Sequence, residues 1–377
     1  MTALNAVMVA FRGNRIGLLV NPLLLSSVGL EVALGAAGVL WVLVYSVERR
    51  PVALGVAVGL FALIRLDLVL IALVVFLARQ GFWEGIWRTA FSALAAMLPW
   101  FAFSWFVLGS AVPDTLVIKM MRHSWGPFSF TNGPLLYWHN FPAAATVSFL
   151  PLLAGSVLGL LWTFQYLRGS ERAKELLPFA ALAFAGALHY VAYCWLKVPP
   201  YHWYYAPSIT GATILLAAGV AAVPSRVRVA AVTLAGGLLA ASVAVYAFPG
   251  LPRQFAPISS NHASSHVYRE IGTQLAAMTR GHTVESVGEV GALAYSCDCN
   301  LVDQAIADTK NRSGELGRAL LEANFRYFDH SVEPATPDLV LATTRTTPPV
   351  SALASWTISS PWTGTQQPYL VPANAPR

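Results

Sequence analysis

Long stretches without a single charged residue are the feature that most restricts the fold of this chain. Five such stretches occupy residues 89–113, 123–167, 176–196, 198–225 and 229–252. A helix that crosses the hydrocarbon core of a bilayer needs about 20 apolar residues, and most of these stretches are that long. Only 11% of all residues are charged, against roughly 25% in an ordinary soluble domain. The pattern therefore predicts an α-helical polytopic membrane protein.

The composition changes after Gly250, and this change predicts a second domain. The charge balance is +8 through Gly250 and −2 beyond it. In chain order we predict an N-terminal, interfacial segment at 1–20, a transmembrane helical domain at 21–250, a small α/β soluble domain at 251–345 and a tail rich in Pro, Thr and Ser at 346–377. The tail is either loosely attached or partly strand.

About seven to eight membrane helices are expected, some of them short or broken. The apolar segments lie at 22–45, 51–78, 88–108, 141–167, 176–196, 206–223 and 227–248. Segment 51–78 is interrupted by Arg65-Leu66-Asp67, so it is either one broken helix or two short ones.

The distribution of basic residues predicts the orientation of the helices. Cytoplasmic loops of membrane proteins carry an excess of Lys and Arg. Segment 51–78 could enter the membrane from the cytoplasm and return to the cytoplasm. In that case nine basic residues are cytoplasmic: Arg49, Arg50, Arg79, Arg88, Arg168, Arg172, Lys174, Arg226 and Arg228. The outer loops 109–140 and 197–205 then hold only Lys119, Arg122 and Lys197. We therefore expect a plasma-membrane protein with paired short helices at 51–78 and an extracytoplasmic C-terminal domain.

The C-terminal domain has recognisable elements and few cysteines. Apolar residues at helical spacing predict a helix at 265–280. We also expect strands at 283–287, 300–303 and 338–342, and a helix at 313–325. Cys297 and Cys299 are too few for a structural zinc site, and we do not expect them to pair.

Charges inside an apolar segment usually face a cavity or a partner, since each costs at least about 2.5–3.5 kcal/mol to insert. Arg65 and Asp67 either pair with each other at a helix break, or Arg65 binds an anionic group at the membrane surface. The N–H donors of its planar guanidinium match the oxygens of a phosphate group. Glu31 either caps a helix start, where a carboxylate meets the positive end of the helix dipole, or lines a site.

The outer loops hold the remaining candidate residues. Pro113-Asp114-Thr115 is typical of a helix start, which would put Lys119 on the same side as Thr115. Further candidates for lining a site are Arg122, His123, His139, His202 and Tyr204. The histidines are not at metal-ligand spacing. The aromatic residues around them form either a membrane-interface belt or a surface on which a sugar ring stacks.

Several classes of function are not supported by any motif. The sequence has no P-loop, G-x-S-x-G, H-E-x-x-H or dinucleotide-binding glycine pattern. No run of basic residues interleaved with exposed aromatics indicates a nucleic-acid partner. No metal site is predicted, and a cofactor is not identified.

Four short segments, in order, resemble one family. They are Ser27–Leu34 (SVGLEVAL), Gly59–Asp67 (GLFALIRLD), Gly109 with Val112–Thr115 (VPDT) and Lys119, and Gly288–Tyr295 (GEVGALAY) with Leu301–Asp303 (LVD). The chain thereby resembles the GT-C class of multi-pass glycosyltransferases that use polyprenyl-phosphate sugars, particularly the actinobacterial arabinofuranosyl- and mannosyltransferase-like proteins. Leu66 stands where the family has proline, and Asp114 stands where it has asparagine.

The resemblance implies transfer of a sugar from a polyprenyl-phosphate carrier to a glycan or lipid acceptor outside the cytoplasm. Arg65 and Lys119 would hold the carrier phosphate, whose charge develops in the transition state. An acidic residue would accept the proton of the acceptor hydroxyl. In the family this aspartate lies in an outer loop upstream of the segment that resembles Ser27–Leu34. We expect that loop to be missing, and the catalytic base stays unassigned.

Three functions follow as expectations. The first is the glycosyltransferase, in full, truncated or inactive form. The second is a transporter or flippase of a lipid-linked substrate, a class in which broken helices are common. The third is a non-catalytic membrane scaffold that presents the C-terminal domain.

Overall fold

The computed structural model of this protein describes residues 20–27, 29–78, 81, 83–108, 124–248, 255–259, 262–286, 289–303 and 336–375. The chain divides into two compact units. Among the described residues, the first unit comprises 20–104 and 124–258, and the second comprises 105–108 and 259–375.

The first unit is built from helices. They are α1 (Pro22–Leu25), α2 (Val32–Val47), α3 (Pro51–Ile64), α4 (Val69–Leu77), α5 (Ile86–Leu108), α6 (Gly133–Asn140), α7 (Pro142–Leu167), α8 (Glu171–Glu175), α9 (Leu177–Trp195), α10 (Ala206–Ala222) and α11 (Ser225–Ala247). Two 3-10 turns, Leu66–Leu68 and His202–Tyr205, precede α4 and α10. The last four residues of α5 fall in the second unit.

Five helical segments of the described chain are long and apolar enough to cross a membrane. They are Ile86–Val107, Pro142–Leu167, Leu177–Trp195, His202–Ala222 and Arg226–Ala247. Three shorter apolar helices, Val32–Val47, Pro51–Ile64 and Leu66–Leu77, accompany them. The expected number of seven to eight is therefore reached only if the shorter helices are counted.

The first expected span, 22–45, is wrong as a continuous helix. Asn21 caps α1 by accepting hydrogen bonds from the backbone amides of Leu23 and Leu24. Gly29 then adopts a φ of +93°, which interrupts the helix before α2 begins.

The segment 51–78 forms two short helices, as one of the sequence alternatives predicts. Arg65 between them has an extended backbone, with φ −160° and ψ 128°. Both α3 and α4 pack against α2, and their apolar residues belong to one buried cluster with α9 and α10. The break therefore turns the chain back alongside α2.

Small residues bring the helices of this unit close together. A Cβ added to Gly211 of α10 would lie 2.8 Å from the carbonyl oxygen of Leu182 in α9. A Cβ added to Gly186 of α9 would lie 2.9 Å from the Cα of Ser208. Gly155 of α7 approaches α10 in the same way. Close backbone approach at small residues is typical of helix packing in membranes.

Large apolar side chains cover much of the outer surface of α5, α7 and α11. Phe91, Leu160 and Leu234 are exposed by 67%, 73% and 76%. Soluble proteins rarely expose contiguous apolar surface of this kind. These faces are compatible with contact to lipid.

The second unit is a small α/β fold. Its described elements are α12 (Ser265–Met278), β1 (Thr283–Ser286), α13 (Gly291–Cys297), β2 (Asn300–Asp303), β3 (Leu339–Thr344), β4 (Ala354–Ser355), β5 (Ile358–Ser360) and β6 (Gly364–Pro372). The sheet has the order β2-β1-β3-β6-β4, and β5 pairs with another part of β6. Strand β1 is parallel to β2 and β3, whereas β6 is antiparallel to β3, β4 and β5.

The predicted helix at 265–280 and the three predicted strands are present within two residues of their expected ends. The predicted helix at 313–325 lies outside the described residues. The tail predicted at 346–377 is partly strand, as one of the two sequence alternatives has it, because β4, β5 and β6 all follow residue 345. Leu370 in β6 is fully buried and packs in one core with Leu275 of α12 and Leu341 of β3. This buried apolar side makes the tail an integral part of the sheet.

Cys297 and Cys299 form a disulfide, contrary to the sequence expectation. Cys297 is the last residue of α13, and Asp298 after it adopts the left-handed conformation with φ 48°. This reversal brings the two Cα atoms to 5.1 Å, within the range of disulfides. A helix end, rather than the short spacing alone, makes the pairing possible.

Candidate functional site

Arg65 is the centre of a cluster of polar side chains inside the helical unit. The extended backbone at the break directs its guanidinium toward Asp67, two residues later. Nε donates to Oδ1 at 3.0 Å and Nη2 donates to Oδ2 at 2.7 Å. This bidentate geometry is the strong form of an arginine–carboxylate pair. Only 12% of the Arg65 side chain is exposed, so the pair is largely removed from water.

Helix α9 contributes two more members of the cluster. His189 and Tyr193 are four residues apart and therefore lie on the same helix face. His189 Nε2 is 2.9 Å from Asp67 Oδ2, and the Tyr193 hydroxyl donates to the same oxygen at 2.7 Å. The Tyr193 hydroxyl also accepts from Arg65 Nη2 at 2.9 Å. One carboxylate oxygen thus receives three donors.

The remaining side of the Arg65 guanidinium faces Glu31 and Tyr204. Glu31 Oε1 lies 3.6 Å from Nη1, too far for a hydrogen bond but close enough for an ion pair. The Tyr204 ring lies under the guanidinium at 4.5 Å, a cation–π arrangement. Among the described residues, no hydrogen-bond acceptor is within reach of the two Nη1 hydrogens. The guanidinium is therefore fixed on one side and still has donors on the other.

A narrow cleft opens beside this free side of Arg65. Its enclosed volume is small, about 20 Å³, and it continues into open solvent. Its polar part is formed by Glu31 and Arg65, with Trp203 beside them. Apolar residues of α2 and α10 and the turn before α4 form the rest of the wall: Val32, Gly35, Ala36, Val39, Leu68, Ala206 and Pro207, with Thr210 as one polar member. The cleft thus combines two charged side chains with a largely apolar wall.

Hydrogen bonds and ring contacts hold the neighbouring aromatic loop in place. Tyr205 donates to the carbonyl oxygen of Phe130 at 2.8 Å, and the Tyr137 hydroxyl donates to that of Pro200. Burial raises the pKa of Tyr137 above its ordinary value, so its hydroxyl stays protonated as a donor. Trp125 packs edge-on against Tyr201 at 4.8 Å. This packing supports the segment that carries Trp203 and Tyr204.

The structure brings together four of the residues singled out from the sequence: Glu31, Arg65, Asp67 and Tyr204. Glu31 stands at the N-cap of α2, the position that the capping alternative predicts, and its side chain forms no capping hydrogen bond. His202 is buried near the cluster, with Nε2 3.4 Å from the carbonyl oxygen of Ser26. His139 lies on the exposed side of the last turn of α6. Asp114, Thr115, Lys119, Arg122 and His123 lie outside the described residues.

Sequence reasoning missed His189 and Tyr193. A histidine and a tyrosine at helical spacing within a charge-free segment are a signal in principle, since polar groups in such segments are usually paired. Their partner Asp67 is 122 and 126 residues away in sequence, so only the fold identifies it.

The arrangement restricts which groups can react. Asp67 is a poor candidate for a general base, because Arg65, His189 and Tyr193 occupy the acceptor capacity of its Oδ2. His189 is 1% exposed, and its Nδ1 has no hydrogen-bond partner among the described residues. No group of three or more His, Cys, Asp or Glu side chains in the described part of the chain could hold a metal ion.

Comparisons with protein-family models, with curated proteins and with solved structures find no match to this chain.

Proposed function

We propose that this chain is a polytopic membrane glycosyltransferase that moves a sugar from a polyprenyl-phosphate carrier to an extracytoplasmic glycan or lipid acceptor. The cleft beside Arg65 would hold the carrier. The observation that carries the proposal is a guanidinium that is fixed by Asp67 and Tyr193, whose Nη1 has only the 3.6 Å ion pair to Glu31, beside a cleft lined by both charged residues and by apolar side chains.

A fixed arginine suits a phosphate ligand. Guanidinium donors match phosphate oxygens, and pre-organisation by Asp67 lowers the entropy lost when a ligand binds. Nη1 is the free part of the fork, and its present neighbour Glu31 is the weaker of the two carboxylate partners, at 3.6 Å against 2.7 Å for Asp67. A phosphate oxygen would therefore compete with Glu31 and leave the Asp67 pair intact.

The rest of the cleft suits the other parts of the carrier. Its apolar wall between α2 and α10 is compatible with a prenyl chain, whose burial is favourable in proportion to the area removed from water. Trp203 at the same cleft offers an indole ring against which a sugar can stack. We expect the sugar to lie on this aromatic side.

An activity assay on the full-length chain in lipid nanodiscs tests the proposal. With a set of polyprenyl-phosphate sugars labelled on the sugar, the wild type should transfer label to lipid or glycan acceptors. Arg65→Met should reduce transfer about 100-fold, because the variant lacks a donor to the developing phosphate charge. Arg65→Lys should recover only part of the loss, since an ammonium cannot reproduce the fork.

The matched control is Arg168→Met, which removes an arginine that packs on Phe164 and has no contact with the cluster among the described residues. It should transfer at the wild-type rate. Equal transfer by wild type and Arg65→Met would exclude the phosphate role. Absence of transfer by wild type from every carrier would contradict the enzyme.

The second unit is proposed to lie outside the cytoplasm. Disulfides persist in oxidising compartments and are rare in the cytosol, so the Cys297–Cys299 bond favours the extracytoplasmic side, which the distribution of basic residues also predicts for this unit. In intact cells carrying a Cys194→Ala variant, a membrane-impermeant maleimide should label the protein only after an impermeant reductant is added. If the maleimide labels the protein only after the membrane is permeabilised, the second unit lies in the cytoplasm. A Cys297→Ala/Cys299→Ala variant provides the blank.

One observation favours a second candidate, a transporter or flippase of a lipid-linked substrate. The helix break at Arg65 and the partly buried Asp67–His189 pair lie within an apolar bundle, as ion-coupled sites of transporters do. Movement of a fluorescent polyprenyl-phosphate between the leaflets of proteoliposomes, without chemical change, would favour it over the enzyme.

A further inference from the structure

His189 is almost completely buried and uses only one of its ring nitrogens. Its side chain is 1% exposed, and Nε2 lies 2.9 Å from Asp67 Oδ2. Nδ1 is also shielded from solvent and has no partner among the described residues. A buried polar atom without a hydrogen-bond partner is destabilising, so Nδ1 is a candidate for a functional role.

The hydrogen bond to Asp67 determines which nitrogen of His189 carries the proton. Asp67 is held as a carboxylate by the bidentate Arg65 and can only accept hydrogen bonds. Nε2 must therefore donate. In the neutral imidazole Nδ1 is then an acceptor with a free lone pair, and in the imidazolium it carries the second proton.

The charges of the cluster make that second proton significant. Glu31 and Asp67 contribute two negative charges, and Arg65 contributes one positive charge, so the cluster is at −1 when His189 is neutral. The titratable groups that face His189 are Asp67 from the turn before α4 and Tyr193 from its own helix; Arg65, Glu31 and Tyr204 lie behind them. A further anion beside Arg65 would bring the cluster to −2 or below, and because only 12% of the Arg65 side chain is exposed, water screens this repulsion incompletely.

We propose that the site takes up one proton on His189 Nδ1 for each anionic headgroup that binds at Arg65. The inference rests on the proposed phosphate site and adds the coupling of that site to protons. The ligand class is a lipid with a phosphate or sulfonate head. The proton comes from water or buffer, forms the N–H bond at Nδ1 and returns when the ligand leaves. Binding and protonation then favour each other reciprocally.

Farnesyl sulfonate is the probe, because its head stays an anion over the whole working pH range and cannot itself take up a proton. Titration calorimetry of the full-length chain in nanodiscs, in buffers of different ionisation enthalpy near pH 7, gives the number of protons bound with the ligand. Empty nanodiscs give the blank. We expect about one proton per sulfonate for the wild type, and a Kd that rises up to tenfold per pH unit in the alkaline range.

Two variants assign the proton. His189→Gln keeps a donor for Asp67 but cannot titrate, so uptake should fall to near zero and affinity at pH 7 should fall about tenfold. Glu31→Gln removes the other carboxylate that could take the proton, and it should retain uptake. If His189→Gln does not fold, His189→Phe, which keeps a flat ring without nitrogens, replaces it.

The outcomes separate the two proposals. Binding by wild type without proton uptake overturns the inference and leaves the proposed function standing. Uptake that persists without His189, or that is lost in Glu31→Gln alone, also overturns it. Failure of wild type to bind either farnesyl sulfonate or farnesyl phosphate overturns the phosphate site together with the inference.

Discussion

Replacement of Asp67 by leucine should lower the free energy of unfolding of the helical unit by about 3–5 kcal/mol, the cost typical of removing one partner of a buried ion pair. Arg65 would keep its charge in a side chain that is only 12% exposed. His189 and Tyr193 would also lose their acceptor. The remaining carboxylate, Glu31, is too distant to replace the bidentate contact.

Unfolding of the purified protein in mixed micelles with increasing SDS, followed by tryptophan fluorescence, measures the change. The double variant Arg65→Met/Asp67→Leu is the control, and it should regain a large part of the loss because no largely buried charge is left unpaired; Glu31, which loses Arg65 as its partner, is 35% exposed. Asp67→Asn, which keeps one acceptor oxygen, should lie between wild type and Asp67→Leu. A loss below about 1 kcal/mol for Asp67→Leu would indicate that water reaches the pair and solvates Arg65.

The second large effect is expected where α9 and α10 touch backbone to backbone. Gly211→Ala places a Cβ 2.8 Å from the carbonyl oxygen of Leu182 and 3.2 Å from the Cα of Ala183. Neither atom belongs to a flexible side chain, so the helices must separate. Overpacking of this kind costs about 1–3 kcal/mol, and the stability measured in SDS should fall by that amount.

The same substitution at Gly236 is the matched control. This glycine lies in the middle of α11, and a Cβ there would meet no atom within 4 Å. Gly236→Ala should leave stability unchanged or raise it by about 0.5–1 kcal/mol, because alanine loses less backbone entropy in a helix. A decrease for both variants would refute contact between α9 and α10 as the cause.

The sequence predicts the helix break at 65–67 because the signal is local. Two charges in an otherwise apolar segment cannot both face lipid, and their separation by one residue suits a pair across an irregular turn. Strands β1, β2 and β3 of the second unit are also local signals, as short β-branched and apolar runs between turn residues. Such features need no knowledge of the neighbours.

The composition of the site could not be predicted in the same way. Periodicity shows which face of α9 is polar, but it does not show that His189 meets Asp67, because helices can pack in many registers. The burial of β6 was missed for a related reason. Its sequence, GTQQPYLVP, contains Pro, Thr and Gln, and only pairing with β3 reveals that its apolar half is inside. The Cys297–Cys299 disulfide could not be predicted either, because it requires the left-handed backbone of Asp298, and the spacing of the two cysteines does not reveal that conformation.

The position of β6 within the sheet has a consequence for biosynthesis. β6 lies between β3 and β4, although it follows both of them in the chain. A ribosome adds roughly 5–20 residues per second, so β3 (Leu339–Thr344) waits on the order of a few seconds before β6 (Gly364–Pro372) has been made. During that interval the free edge of β3 exposes unpaired backbone groups that can pair with another chain. Folding of this sheet therefore cannot proceed strand by strand during translation, and it is completed only when residues 364–372 have emerged.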